Sequence, residues 1–235
     1  MHRAPDATGA LTIEHGDETL ELLPQRVLWW PRTRTLVVAD LHFGKAATFR
    51  NAGIPVPAGQ TRTMLHRLDA LIDDLGARRL CFLGDLVHSR AGCTDALVGT
   101  LRNWRADHAQ VEMLLVPGNH DRHAKFLPME VGIGVTDARF VVERLEFVHD
   151  PKGEDDASLP RIAGHVHPCV RIRDRLRQNL RFACFHASGG TLTLPAFGEF
   201  TGGHAVKPTA GDRIYLVAGE QVVALPVNLP LGRPR

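Results

Sequence analysis

Leu115-Val116-Pro117-Gly118-Asn119-His120-Asp121 reads as a strand that stops abruptly. The apolar run 113–116 suits a buried strand, and Pro117-Gly118 is a turn signal that ends it. An amide, an imidazole and a carboxylate follow at once. Open α/β sheets build their sites at the carboxyl ends of strands. Asn119 can offer a neutral oxygen to a metal, His120 can move a proton, and Asp121 can orient a neighbour. A plain polar turn after a core strand would look the same, so the weight falls on whether the pattern recurs.

It recurs on the N-terminal side. Leu36-Val37-Val38-Ala39 runs into Asp40-Leu41-His42-Phe43-Gly44-Lys45, and the run 80–83 into Gly84-Asp85-Leu86-Val87-His88. Between them Met64, Leu65, Leu68, Leu71, Ile72 and Leu75 fall at helical spacing, with Gly76 placed to end the helix. Thr94 or Asp95 can cap a second helix that carries Ala96, Leu97, Leu101 and Trp104 on one face. Three successive units thus end a strand in metal-competent residues, and the alternation predicts an α/β layered fold. Upstream, 11–13 and 19–23 alternate around Gly16-Asp17 as a hairpin, and 27–30 is a further strand.

Past residue 130 helical periodicity gives way to short strands, which predict a second, largely antiparallel sheet. Two of them also end in ligand-type residues. The run 145–148 leads to His149-Asp150-Pro151, and 161–163 to Gly164-His165-Val166-His167-Pro168. The halves share one set of ligands, so residues 1–235 read as one domain, with 1–10 a flexible lead.

Composition narrows the class. With 235 residues, 44% hydrophobic and 23% charged, the chain can bury a core without disulfides. A net charge of +2 is too small to argue for nucleic acid by itself. Four cysteines without a C-x-x-C pair exclude the common zinc and thiol-redox motifs. Residues 1–10 lack an apolar signal segment, and no stretch is long and apolar enough for a membrane span, so a cytoplasmic protein with no membrane partner is expected.

Collected in order, D-x-H, G-D, G-N-H-D, a lone H and G-H-x-H resemble the calcineurin-like metallophosphoesterase superfamily over residues 36–168. The resemblance implies a four-layer α/β sandwich of two packed mixed sheets flanked by helices, with a dinuclear metal site between strand ends. By position, Asp40, His42 and His167 would hold one metal and Asn119, His149 and His165 the other. Asp85 would bridge both, and His120 would face the substrate as the catalytic residue. Asp121 would either orient His120 or brace the turn. Asp150 follows His149 where the superfamily usually has glycine, and His88 would either line the substrate groove or make a structural hydrogen bond. Oxygen and imidazole ligands without thiolate suit manganese first, with iron or zinc also compatible.

A narrower resemblance rests on Asp40 to Lys45, Gly53-Ile54-Pro55-Val56-Pro57, and Leu194-Pro195-Ala196-Phe197-Gly198-Glu199-Phe200-Thr201-Gly202-Gly203. These look like the ligase-associated DNA damage response endonucleases, bacterial manganese-dependent phosphoesterases associated with a DNA ligase and a helicase. The function implied is a single-strand DNA endonuclease in repair. A small-molecule phosphatase or cyclic-nucleotide phosphodiesterase would share the core, and a scaffold that has lost catalysis would share the fold. Arg171, Arg173, Arg175 and Arg177 fall at every second position and would line one face of an extended segment. That stripe either tracks a nucleic-acid backbone or is a solvated hairpin. Lys45 is a further phosphate-contact candidate, and Phe43 either stacks on a base or packs in the core.

Overall fold

The computed structural model describes residues 9–152, 158–173, 179–199 and 201–226. Residues 1–8, most of the expected flexible lead, and Arg175 and Arg177 of the arginine stripe lie outside the described residues.

The first sheet starts as antiparallel strands and continues as parallel ones. β1 (Leu11–His15), β2 (Glu18–Leu23), β3 (Val27–Trp30) and β4 (Thr35–Ala39) pair antiparallel in sequence order. β4 then pairs in parallel with β5 (Arg79–Leu83), β5 with β6 (Glu112–Val116), and β6 with β7 (Gly134–Val135). Helices α1 (Lys45–Asn51), α2 (Gln60–Leu75), α3 (Asp95–Asp107) and α4 (Phe126–Glu130) fill the crossovers. α2 ends as the sequence predicts, with Gly76 left-handed at φ 58. The Thr94 hydroxyl caps α3 by accepting from Leu97 N. α2 buries the six apolar residues that its periodicity marked. Each is worth about 1.5–3 kcal/mol relative to exposure.

The second sheet is largely antiparallel, as expected, around a parallel centre. β10 (Arg161–Ala163) pairs in parallel with both β9 (Leu145–Val148) and β13 (Thr191–Thr193). β8 (Arg139–Val142), β11 (Pro168–Arg173), β12 (Asn179–Ser188), β14 (His204–Ala205), β15 (Arg213–Ala218) and β16 (Gln221–Leu225) complete it, mostly by antiparallel pairing. The parallel centre has a functional consequence, because it puts the carboxyl ends of β9 and β10 on the same edge.

Alternation along the strands sorts the core into layers. Val38, Leu80, Phe82 and Leu115 face α2 and α3, against Leu68, Ile72, Leu101 and Trp104. Val37, Cys81, Leu83 and Val116 face the second sheet and pack against Phe147, Ile162, Phe185 and Leu192. The result is two packed mixed sheets with helices. Among the described residues no helix follows Glu130, and a small cluster of Val170, Cys184, Ile214 and Leu216 forms apart from the two larger cores. All four cysteines are free, and burial pushes the Cys81 thiol up to about 12.

Candidate metal centre

Neighbouring parallel strands lie about 4.8 Å apart. Residues just past the ends of β4, β5 and β6 therefore converge, and the ends of β9 and β10 meet them from the second sheet. Among the described residues, three groups each bring their ligand atoms within 4.8 Å of one another: Asp40, His42 and His167; Asp85, His149 and His165; and His42, His88 and His120. The first brings together the three residues expected around one metal, and the second two of those expected around the other together with Asp85. Asn119 joins the second, its Oδ1 3.0 Å from His149 Nε2.

The backbone is bent to make this possible. Asp40, His42, Asp85, His165 and His167 all have positive φ, between 48° and 67°. Left-handed backbone costs an ordinary L-residue about 1–2 kcal/mol, so strain is concentrated at this site. The turns are tied across the strand ends, with His42 N donating to Asp85 O at 2.8 Å and Phe43 N to Leu86 O at 2.8 Å. His165 N donates to Asp40 Oδ2 at 2.9 Å, which links the two sheets through a candidate ligand.

The donor set fits divalent cations on its own chemistry. His149 Nδ1 donates to Leu83 O at 3.0 Å, so Nε2 presents a lone pair. That nitrogen faces Asn119 Oδ1 at 3.0 Å, His165 Nδ1 at 3.0 Å and Asp85 Oδ1 at 3.4 Å. Asp85 Oδ2 turns the other way, 3.8 Å from His42 Nε2. One carboxylate therefore addresses both groups. His167 Nδ1 donates to Thr201 O at 3.3 Å, leaving Nε2 buried, without a hydrogen bond, 3.4 Å from Asp40 Oδ1. Burial, and then the charges of Lys45 and the neighbouring histidines, pushes His42 down to about 2, which keeps its imidazole in the neutral, metal-binding form.

The family model for calcineurin-like phosphoesterases matches residues 33–190, more than half of the chain. The chain belongs to the calcineurin-like phosphoesterase family. It is 35% identical to the Pseudomonas putida nuclease MPE, whose structure matches with a TM-score of 0.80 over 92% of this chain and 100% of that one. That nuclease is consistent with the narrower resemblance to ligase-associated endonucleases. YfcE, a phosphoesterase from E. coli, is 15% identical with a TM-score of 0.43, covering 81% of this chain and 96% of that one. No curated protein sequence matches.

In this calcineurin-like phosphoesterase the expected substrate-facing histidine stands beside the metal groups. His120 N donates to Asp85 Oδ1 at 2.9 Å, and its ring Nδ1 donates to His88 O at 2.7 Å, which leaves Nε2 3.9 Å from Asp85 Oδ2. Asp121 braces the turn: its carboxylate accepts from Gly118 N at 2.8 Å and Val87 N at 3.3 Å. Burial raises its carboxyl above the usual range.

His88 places its ring beside those of His42 and His120. Its Nδ1 is buried without a hydrogen-bond partner, and its ring stacks on His120 with centroids 5.3 Å apart. Phe43 is 1% exposed and packs in the core, so it has no face for a base. Lys45 is half-buried beside the centre, where burial lowers it below the usual lysine range against the pull of Asp85. Arg171 lies on β11, directly opposite Arg181 on β12; Arg173 shares that strand. Phe197, Gly198 and Thr201, in the stretch that carries the narrower resemblance, also brace the centre. Phe197 N donates to Ala39 O and Gly198 N to Asp40 O, while Thr201 O fixes the His167 tautomer. Arg67 clamps the segment, its guanidinium 4.0 Å over the Phe197 ring. No helix among the described residues is long and apolar enough to cross a membrane.

Proposed function

We propose that this chain is a two-metal phosphodiesterase that cuts single-stranded DNA in repair, in the cytoplasm and alongside a DNA ligase and a helicase. Asp40, His42 and His167 would hold one divalent ion, Asn119, His149 and His165 the other, and Asp85 would serve both, with manganese the favoured ion. The observation that carries the reading is the convergence of these seven donors, with His120 poised beside them, in a chain 35% identical over 92% of its length to a nuclease.

Two ions at such a centre supply Lewis acidity toward the phosphate oxygens and activate water near neutral pH. The chain's own groups do the rest. Asp85 holds its two oxygens toward opposite groups, so both halves of the site share one rigid anchor. His120 is oriented at Nδ1 by the His88 carbonyl, which aims Nε2 into the site. Protonated there, it donates to the departing oxygen. Lys45 and Arg171 offer charge to the flanking phosphates. The resemblance of residues 194–203 to the ligase-associated endonucleases supports the repair setting.

The test is nicking of circular single-stranded DNA with added manganese, wild type beside His120→Ala. A circle excludes any action that needs a free end. Wild type nicks it, while His120→Ala keeps its metal content and loses activity by about 10²–10⁴-fold, the usual worth of a general acid. A wild type that hydrolyses a small aryl phosphate ester and leaves the circle intact refutes the nuclease reading.

A further inference from the structure

A cleft of about 550 Å³ opens beside the metal centre, between α1, the start of α2 and the start of α3. His42 belongs to both the centre and the cleft wall, and Lys45, also on that wall, lies close enough to feel the charge of Asp85. An aromatic row connects the two: His120 stacks on His88, and His88 meets the Phe49 ring edge-on with centroids 6.0 Å apart. Phe49 lines the cleft, and Lys45 Nζ stands 5.8 Å from its ring centroid. His88, which the proposed chemistry uses only through its carbonyl, is thus the middle ring of this row.

The lining suits one kind of occupant. Leu41, Val56, Met64 and Leu97 supply an apolar wall. Three cations, Lys45, Arg50 and Arg62, face it against a single anion, Glu199. A wholly apolar ligand would leave those cations unused, and an inorganic anion would leave the apolar wall uncovered. A flat base joined to a phosphate uses both. The volume lies within the roughly 300–1,000 Å³ usual for sites that enclose one small ligand.

We infer that this cleft seats one unpaired nucleotide next to the bond that is cut, its base against Phe49 and the apolar wall and its phosphate toward Lys45. A base enclosed in a cleft cannot keep its Watson–Crick partner, so the cleft itself selects single-stranded substrate. The inference rests on the nuclease reading above and assigns the source of its strand preference.

The experiment compares two substrates of the manganese-loaded full chain: single-stranded DNA, and methyl p-nitrophenyl phosphate, a diester without a nucleoside. The readout is the ratio of their kcat/KM values. Ala96→Trp places a large ring in the cleft from an exposed position in the first turn of α3. It lowers the ratio at least tenfold. Phe49→Ala lowers it roughly five- to hundredfold, the usual range for losing one base–aromatic contact, and Phe49→Trp restores it. Should Ala96→Trp not fold, Ala58→Trp on the exposed loop before α2 fills the same cleft. An unchanged ratio in the Trp-filled variants, with DNA still cut, overturns the cleft alone. Hydrolysis of the small diester with no DNA cleavage by wild type overturns the nuclease reading and the cleft with it.

Discussion

Gly84→Ala adds one methyl group and should lower the number of ions the proposed centre holds. Gly84 sits between the end of β5 and Asp85, with φ +68. A Cβ built there would lie 2.1 Å from His149 Nδ1, 2.5 Å from His149 Cγ and 2.8 Å from the Gly118 backbone. Ordinary contact begins at 3.4 Å, so the imidazole must retreat about 1.3 Å. Metal–ligand distances tolerate only about 0.2 Å. The ring cannot swing freely, since it is 5% exposed and its Nδ1 is bonded to Leu83 O. His149 Nε2 therefore leaves the point where Asn119, Asp85 and His165 converge.

The left-handed backbone adds a cost of about 1–2 kcal/mol that any alanine with positive φ incurs. Gly219→Ala isolates that cost, because Gly219 has φ +63 in the turn between β15 and β16 with nothing within 4 Å. Gly219→Ala should lose about 1–2 kcal/mol in denaturant titrations, and Gly84→Ala more than that, because the His149 ring and the Gly118 backbone must also shift. Gly219→Ala keeps two ions per chain by metal analysis after manganese loading. Gly84→Ala keeps about one, and its diesterase activity falls at least about 10–100-fold. A Gly84→Ala protein that holds two ions at wild-type affinity would refute both the packing argument and the assignment of His149 as a ligand.

Two further predictions concern parts of the fold away from the centre. Glu146, 2% exposed, accepts from Arg161 at 2.7 Å and Arg139 at 2.6 Å; burial opposes its charge, but the two guanidiniums more than offset this and hold its carboxyl below the usual range. Glu146→Gln removes the carboxylate charge that Arg139 and Arg161 share and should cost about 1.5–3 kcal/mol by urea denaturation; a loss under about 0.5 kcal/mol counts against the pair as a structural anchor. His15, 6% exposed and donating to Arg161 O at 3.0 Å, is lowered from its usual pKa, chiefly by burial. The unfolded chain then binds a proton that the folded chain refuses, so its contribution is whole above about pH 6.5 and is lost as pH falls toward the folded value. Measured in chelator, to remove linkage to metal, wild type should lose stability from pH 7 to 5 more steeply than His15→Gln; parallel slopes would contradict this.

Local chemistry wrote much of this protein legibly. The 3.6-residue spacing of Met64 to Leu75 with Gly76 at its end, the Thr94 cap, and the apolar runs that became β4, β5 and β6 depend on neighbours in the chain. So does the position of each ligand-type residue just past a strand. Other features were set by partners distant in sequence. The parallel pairing of β9, β10 and β13 is invisible in runs of three or four residues, because such runs suit either direction. α1 was not foreseen, since its seven residues bury no side chain fully and show no periodic stripe. Phe43 and Phe49 are equally aromatic on paper, and only packing puts the first in the core and the second on the cleft.

The sequence alone determined which groups can bind metal and where along each strand they stand, because that order is covalent. The tertiary structure decided which of them meet, which nitrogen of each imidazole is left free, and what lies beside the centre. The Leu83 and Thr201 carbonyls choose the tautomers of His149 and His167 across separations of 66 and 34 residues. The His88 carbonyl orients His120 across 32. Hydrogen-bond geometry is a property of space: the His149 contact exists only once the two sheets have packed, and the other two only once loops distant in sequence have met.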